Sequence, residues 1–536
     1  MRRPSLSRSS FLSVLALAAA ASSAGFACSS SSTGATGGAG GESATSTASH
    51  TTTSTASHTT STAAGGGGTV DVGASVLTFH NDAARTGLYV DAAITKAAAA
   101  GVHVDPTFHA TLNGNVYAQV LYVDARGTGP DVIVAVTESD FVHALSAADG
   151  SELWHTSLGA SVQPQELDCG NISPYGATGT PVVDYASRTL YVAAVVSVNG
   201  AASQQIFALS LDTGAVLPGW PVVVESAVAA TPGAPFDTRT QGQRSALLIV
   251  KGTLYVAYGG MYGDCNPYRG WVVGVSETDP TAVTAWSTAH MGGGTWTPGG
   301  PSFDGASIYV ATGNTFGANG SWGGGDAIIE LPLSLHFANR FYAPANWQSL
   351  DDSDLDLGSN VLPINLGGAS LAAVFGKDGN LYVADRANLP GVGGELYTAH
   401  VASGEIIGAP TFFQSGGVAH VAVKGSGVGC GSGQPGNLIG ITLSASGATV
   451  PWCADGGGTG SPITTSPDGA SDFVVWDVGA DGDGRLHGYD ALTGAEVFAG
   501  GGSGDRMNGL RRYASPIVAK GRIFMGADGS VYAFTP

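Results

Sequence analysis

The chain has 536 residues and carries 41 acidic against 21 basic ones, a formal net charge of −20 that repels phosphate backbones and argues against nucleic acid as a partner. Glycine accounts for 82 residues and only 12% are charged, while 43% are hydrophobic, much of it Val, Ile, Leu, Tyr and Ala in short runs between turn residues. That texture favours many short strands and leaves no place for long helices.

Residues 1–28 read as a secretion signal, with Arg2, Arg3 and Arg8 ahead of an apolar stretch from Phe11 to Ala24 that is too short to span a membrane stably. Small residues lead to Cys28. Gly25-Phe26-Ala27-Cys28 resembles a bacterial lipoprotein cleavage box, with Gly25 where that box expects Leu, and implies lipidation at Cys28; ordinary cleavage near Ala24 uses the same small residues. The expected location is the cell envelope, lipid-anchored or secreted, with the membrane touched only through the anchor. Residues 29–68 are almost wholly Ser, Thr, Gly, Ala and His, so they lack the apolar area needed to offset chain entropy and read as a flexible linker. Once exported, Cys169, Cys265, Cys430 and Cys453 form an even set in an oxidising compartment. Two disulfides can pair in three ways, and Cys430 and Cys453 are near enough to staple one repeat.

From about Thr78 onward one unit recurs: short apolar strands, a turn carrying Asp-Gly or Thr-Gly, and a last strand often bearing Trp. Clear copies are VHALSAADGSELWHTSLG at 142–159, IFALSLDTGAVLPGW at 206–220 and LHGYDALTGAEVF at 486–498. Looser copies lie near 254–279, 308–335, 381–405 and 438–452. A period of about 40 to 50 residues is that of four-stranded propeller blades. Residues 69–536 are therefore expected to form one all-β propeller of about eight blades, seven being the nearest alternative. The final copy, RIFMGADGSVYAFTP, is short of strands, so residues around 105–112 are expected to supply the outer strand that closes the ring.

The turn in 149–154 and the opening Asn81-Asp-Ala-Ala-Arg-Thr-Gly87 resemble the repeats and entry segment of the pyrroloquinoline-quinone (PQQ) propeller superfamily. That superfamily includes quinoprotein alcohol dehydrogenases and a cofactor-free lipoprotein of outer-membrane barrel assembly. GGGTWTPGGPSFDGASIYVATGN, from Gly292 on, is similar to the middle of the dehydrogenases. The resemblance implies that Trp296 stacks on PQQ and that Asn314 is an oxygen ligand of Ca²⁺. It places the catalytic proton acceptor in WQSLDDSDLDLGS, at Asp354 or Asp356, and a quinone-contacting cation at Lys377 in Gly376-Lys377-Asp378-Gly379. Flat aromatic cofactors need a ring face and hard cations need oxygen ligands.

The sequence departs from those enzymes in three ways. It lacks a vicinal Cys pair, it has no clear equivalent of their calcium-binding Glu, with only Asp264 or Asn266 nearby, and no fused haem domain is expected. Each candidate also has an ordinary use, since Trp296 could pack between blades, Asn314 could cap a turn, the 351–356 Asp run could be solvated loop, and Lys377-Asp378-Gly379 makes a hairpin turn. Asp477, Asp481 and Asp483 lack the bidentate Glu of an EF-hand and read as a turn. GxSxG and HExxH are missing, which leaves hydrolysis without a motif. Two functions stand: a dehydrogenase acting on a small or polymeric alcohol with PQQ and Ca²⁺, or a cofactor-free scaffold for envelope proteins. Convergence of Trp296, Asn314, Lys377 and Asp354 or Asp356 on one axial cavity separates them.

Overall fold

A computed structural model of the chain describes residues 71–317, 320–431, 433 and 436–536. The signal sequence, Cys28 and the whole linker at 29–68 lie outside the described residues. The rest is all-β, as the repeats predict: eight sheets of four or five strands, with three α-helices of four to six residues among the described residues. No helix there is long and apolar enough to cross a membrane.

Each sheet is one blade. The first runs through Leu121–Val123, Val132–Val136, Phe141–Ser146 and Glu152–Ser157, all antiparallel. The fourth holds Ser302–Phe303, Ile308–Ala311, Ile328–Leu331 and Phe341–Ala343, and the fifth holds Leu362–Leu366, Ala369–Phe375, Asn380–Asp385 and Tyr397–His400. A separate buried apolar cluster fills each junction from the first blade to the seventh, and one cluster spans the seventh, eighth and first, so the ring is closed by packing.

The Trp and the turn Gly of the repeat explain one another. Trp154, on the last strand of the first blade, donates Nε1–H to Leu211 O (3.1 Å), and its ring lies where a Cβ on Gly214 of the second blade would stand. Trp452 of the sixth blade does the same to Ala491 O (3.1 Å) and Gly494 of the seventh. Those glycines have φ of +71° in both turns, so glycine meets two demands there: a left-handed backbone and room for the neighbouring indole.

Ring closure differs in detail from the expectation. The outer strand of the eighth blade is His103–Val104, paired antiparallel with Phe534 and Thr535, whereas residues 105–112 follow it as coil held by Asp105 N–H to Ala533 O (2.8 Å) and Leu112 N–H to Gly529 O (2.9 Å). Two residues of pairing fall below what hydrophobic alternation can reveal. A second closure was not anticipated: Leu88–Val90 adds a parallel strand to the first strand of the seventh blade, Ile463–Ser466.

Between Val76 and these closures the chain bonds to nearly every blade. Val76 pairs with Tyr122 of the first blade, Leu77 O accepts from Val183 N–H (2.9 Å) of the second, and Ala83 O from Phe303 N–H (2.8 Å) of the fourth. Thr86 O accepts from Phe412 N–H (2.7 Å) of the sixth, Gly87 O from Thr464 N–H (2.8 Å) of the seventh, and His80 Nε2 meets Ser515 Oγ (3.2 Å) at the entry to the eighth. Arg85 is fully buried and donates to Pro301 O (3.0 Å), Leu247 O (2.9 Å), Phe79 O (3.0 Å) and Thr78 Oγ1 (2.7 Å), which adds the third blade. A segment bonded to so many blades of one ring lies on its axis. Burial lowers the Arg85 pKa to about 10, against the attraction of Asp82, so it stays charged at neutral pH.

Arg85→Ala leaves three buried carbonyls and the half-buried Thr78 hydroxyl without their donor and is expected to lower the unfolding free energy by about 3–5 kcal/mol. Urea unfolding followed by tryptophan fluorescence measures this; a loss under about 1 kcal/mol would show that the axial segment does not carry the ring.

Candidate functional site

One cavity of about 810 Å³ opens along the axis. Its lining comes from two kinds of segment on one face of the ring: hairpins joining second to third strands, and stretches that enter the first strand of a blade. Phe79 of the axial segment forms part of its wall and packs on Ala246 and Ala409.

Trp296, in the stretch entering the fourth blade, is half-buried at the cavity. Two cations lie over its ring: Lys377 Nζ at 5.7 Å and Arg244 Cζ at 5.8 Å from the centroid. Gly313 makes this approach possible, because a Cβ there would collide with Asp356 Oδ1 and stand 3.0 Å from Trp296 Nε1. The glycines around Trp296 are thus a packing requirement.

The acids arrive just after a short helix, Trp347–Asp352, which takes in the first two residues of the 351–356 Asp run and leaves the rest as loop. Trp347 and Leu350 bury one side of it. The helix ends with Asp354 in the left-handed region (φ +54°) and Leu355 N–H bonded back to Leu350 O (3.0 Å), and both leucines join one apolar cluster. That is the glycine-type helix stop with Asp in the glycine's place. It leaves the Asp354 side chain 62% exposed at the cavity and sends Asp356 inward, where its side chain is 7% exposed.

Lys377, from the hairpin of the fifth blade, closes the group. Its Nζ lies 2.5 Å from Asp356 Oδ2 and 2.9 Å from Asp354 Oδ1. Asp356 Oδ1 accepts the Asn314 backbone N–H at 2.6 Å, and Asp356 O accepts Lys377 N–H at 2.8 Å. Burial opposes the charge on Lys377, but the two carboxylates outweigh it and hold the amine well above its ordinary pKa. Burial likewise pushes Asp356 up, with Lys377 pulling the other way.

Trp296, Asn314, Asp354, Asp356 and Lys377 all line this one cavity. The four cysteines pair as Cys430–Cys453, within the sixth blade, and Cys169–Cys265, which ties rim loops of the second and third blades beside Met261 and Tyr262. Asp264 accepts from Tyr268 Oη (2.8 Å) and Asp481 lies across the cavity near Arg512.

Two residues escaped the sequence reading. Arg244 has no motif around it, and no carboxylate lies within ion-pairing distance of it among the described residues. Asp326 sits beneath the site, fully buried, with neither oxygen hydrogen-bonded. Burial, with Asp356 and Asp351 adding to it, raises its pKa to about 9, so it is a neutral acid at pH 7. It stands just before the carbonyl that closes its hairpin (Thr312 N–H to Ala327 O, 3.0 Å), the place of Gly379 in the fifth blade (Gly376 N–H to Asn380 O, 3.0 Å) and of Asp140 in the first (Thr137 N–H to Phe141 O, 3.0 Å). All three have positive φ, and Asp140 is likewise buried, unbonded and raised to about 9 by burial. Alignment of the hairpins, with Asp against Gly, is the signal that finds both.

A planar quinone carrying carboxylates fits this cavity, which offers an indole face with a lysine and an arginine over it. Calcium does not fit. Among the described residues no three His, Cys, Asp or Glu converge on a point, and the Asp354–Asp356 gap is filled by an ammonium. Asn314, which the resemblance makes a calcium ligand, lines the cavity and gives its backbone N–H to Asp356.

The described residues thus form an eight-bladed propeller with a polar cavity on its axis. No family model matches the sequence and no curated protein matches it. The fold is that of the quinoprotein alcohol dehydrogenases. The quinohemoprotein alcohol dehydrogenase of Comamonas testosteroni is similar over 86% of this chain and 80% of its own, with TM-score 0.56 and 16% identity. The enzyme ADHIIG of Pseudomonas putida HK5 gives 0.58 and 13%, again over 86% and 80%. A europium-containing methanol dehydrogenase gives 0.58 and 14% over 85% of this chain and 90% of its own. Identities this low establish the fold alone.

Asp326→Asn removes an acid that the folded state holds protonated. A folded pKa raised to about 9 stabilises the fold below the unfolded pKa, and that stability is lost as pH rises towards 9. The variant should therefore be more stable than wild type near pH 7, with a gain that grows between pH ~4 and ~9 by at most about 1.4 kcal/mol per unit. Urea midpoints across that range check it; a pH-independent difference would contradict the buried neutral acid.

Proposed function

We propose that the chain is an exported quinoprotein dehydrogenase that binds PQQ against Trp296 and oxidises a small or polymeric alcohol. The observation that supports it most is convergence: an indole, two cations and an exposed carboxylate face one cavity, whereas a scaffold would leave them in separate blade interfaces. The two disulfides support an oxidising, extracytoplasmic setting, with Cys28 as the lipid anchor.

In this reading Trp296 gives the ligand its stacking plane, and Arg244 and Lys377 neutralise its negative groups. Bound there, the quinone supplies a two-electron acceptor for the hydride leaving the carbinol carbon. Asp354 is the catalytic residue of the chain. Its Oδ1 is fixed by Lys377, and its exposure lets the other oxygen take the hydroxyl proton as the hydride departs. Asp356, with both oxygens engaged, positions Lys377 and so fixes Asp354. The apolar wall of Ile172, Met261, Tyr262 and Ile407 excludes water and takes the carbon skeleton of the alcohol.

Alcohol-dependent dye reduction by the PQQ-loaded chain tests this. Asp354→Asn should lower kcat by about 10²–10⁴-fold with quinone affinity unchanged. Trp296→Ala should instead weaken quinone binding, at least ten-fold by calorimetry. Absence of alcohol oxidation in wild type loaded with quinone would refute the enzymatic reading.

A further inference from the structure

We infer that Lys377 takes the position of a divalent cation, so the axial site binds its planar anionic ligand without a metal. The relevant gap lies between Asp354 and Asp356. A bridging Ca²⁺ would hold both carboxylates at about 2.3–2.6 Å. The Lys377 ammonium already stands 2.5 Å from one and 2.9 Å from the other, and a divalent ion beside it would face strong repulsion.

Some of the other oxygens that a six- to eight-coordinate shell would draw on are already hydrogen-bonded. Asp356 Oδ1 receives the Asn314 amide (2.6 Å), Asp351 receives the amide and hydroxyl of Thr315, and Asp264 receives Tyr268 Oη (2.8 Å). The unbonded Asp326 does not mark a missing metal. Asp140 repeats the same buried, unbonded state at the same hairpin position in the first blade, where it belongs to the repeat.

Lys377 already pairs with both acids, and Arg244 adds a second cation over the Trp296 ring. An ammonium has three N–H donors and two are used on the acids, which leaves the third for a ligand oxygen over the Trp296 face, 5.7 Å away at the ring centroid. One lysine thus neutralises the acids and contacts the ligand.

The test begins without quinone. Calorimetric titration of the full chain with CaCl₂ should show no one-to-one site in wild type. Lys377→Met, checked for folding by its circular dichroism and melting curve, frees both carboxylates and should acquire a calcium site at least ten-fold tighter than any in wild type, which Asp356→Asn in that background removes. A one-to-one calcium site in wild type that Asp356→Asn abolishes would overturn the inference, as would a folded Lys377→Met chain that gains no calcium affinity. A second arm, which rests on the functional reading above, titrates PQQ in EDTA and in CaCl₂. Affinities equal within two-fold support the inference and binding only with calcium overturns it. Binding in neither solution would refute the functional reading, and the calcium arm would still decide this one.

Discussion

Arg85 is enclosed on every side, and its guanidinium reaches the carbonyls of Leu247 and Pro301, which begin two different blades, while holding Phe79 and Thr78 of its own segment. An eight-bladed ring has a wide axis, and side chains from the blades alone do not fill it. The chain here lays its own segment from Val76 onward along that axis and hydrogen-bonds it to seven of the eight blades. An unpaired inner edge would be a template for wrong pairing. The same segment puts Phe79 into the cavity wall, so ring stability and site shape depend on one stretch of chain.

Around that core the site is assembled from parts that the repeat makes available in every blade. Second-to-third-strand hairpins present two kinds of position: one facing the axis, taken by Lys377 in the fifth blade and by Glu138 in the first, and one left-handed position taken by Gly or by a buried Asp. Glu138 N–H bonds Asn115 O (2.9 Å) as Lys377 N–H bonds Asp356 O, and those blades are four apart in a ring of eight. Burial raises Glu138 to about 7, whereas two acids hold Lys377 charged, so opposite sides of one symmetric frame carry different electrostatics. The asymmetry resides in side chains and the frame is common.

How much of this the sequence reveals follows from range. Turn dipeptides such as Thr213-Gly214 and the strand-final Trp are local signals repeated many times, and they carried the fold. The closing strand at His103–Val104 and the inner strand at Leu88–Val90 are two and three residues long, and their pairing is decided by the distant edge they meet. Trp296, Asn314, Lys377 and the Asp354–Asp356 pair were legible through their surrounding motifs, and they do share a cavity. Arg244 and Asp326 were not, because an arginine without a motif and an Asp in a Gly-rich turn look like solvated loop residues until the hairpins are superposed. The ammonium between Asp354 and Asp356 was likewise invisible, since Asp354 precedes the first strand of the fifth blade and Lys377 turns between its second and third, and only the folding of that blade brings them together.

The central claim is that these side chains form one binding site for a flat, negatively charged ligand, and a crystal structure of the chain grown with PQQ tests it most directly. The account predicts the ligand's ring plane stacked on the Trp296 indole, with Lys377 Nζ and Arg244 within hydrogen-bonding distance of its oxygens. A ligand bound elsewhere on the ring, or an axial cavity left empty at saturating PQQ, would contradict it.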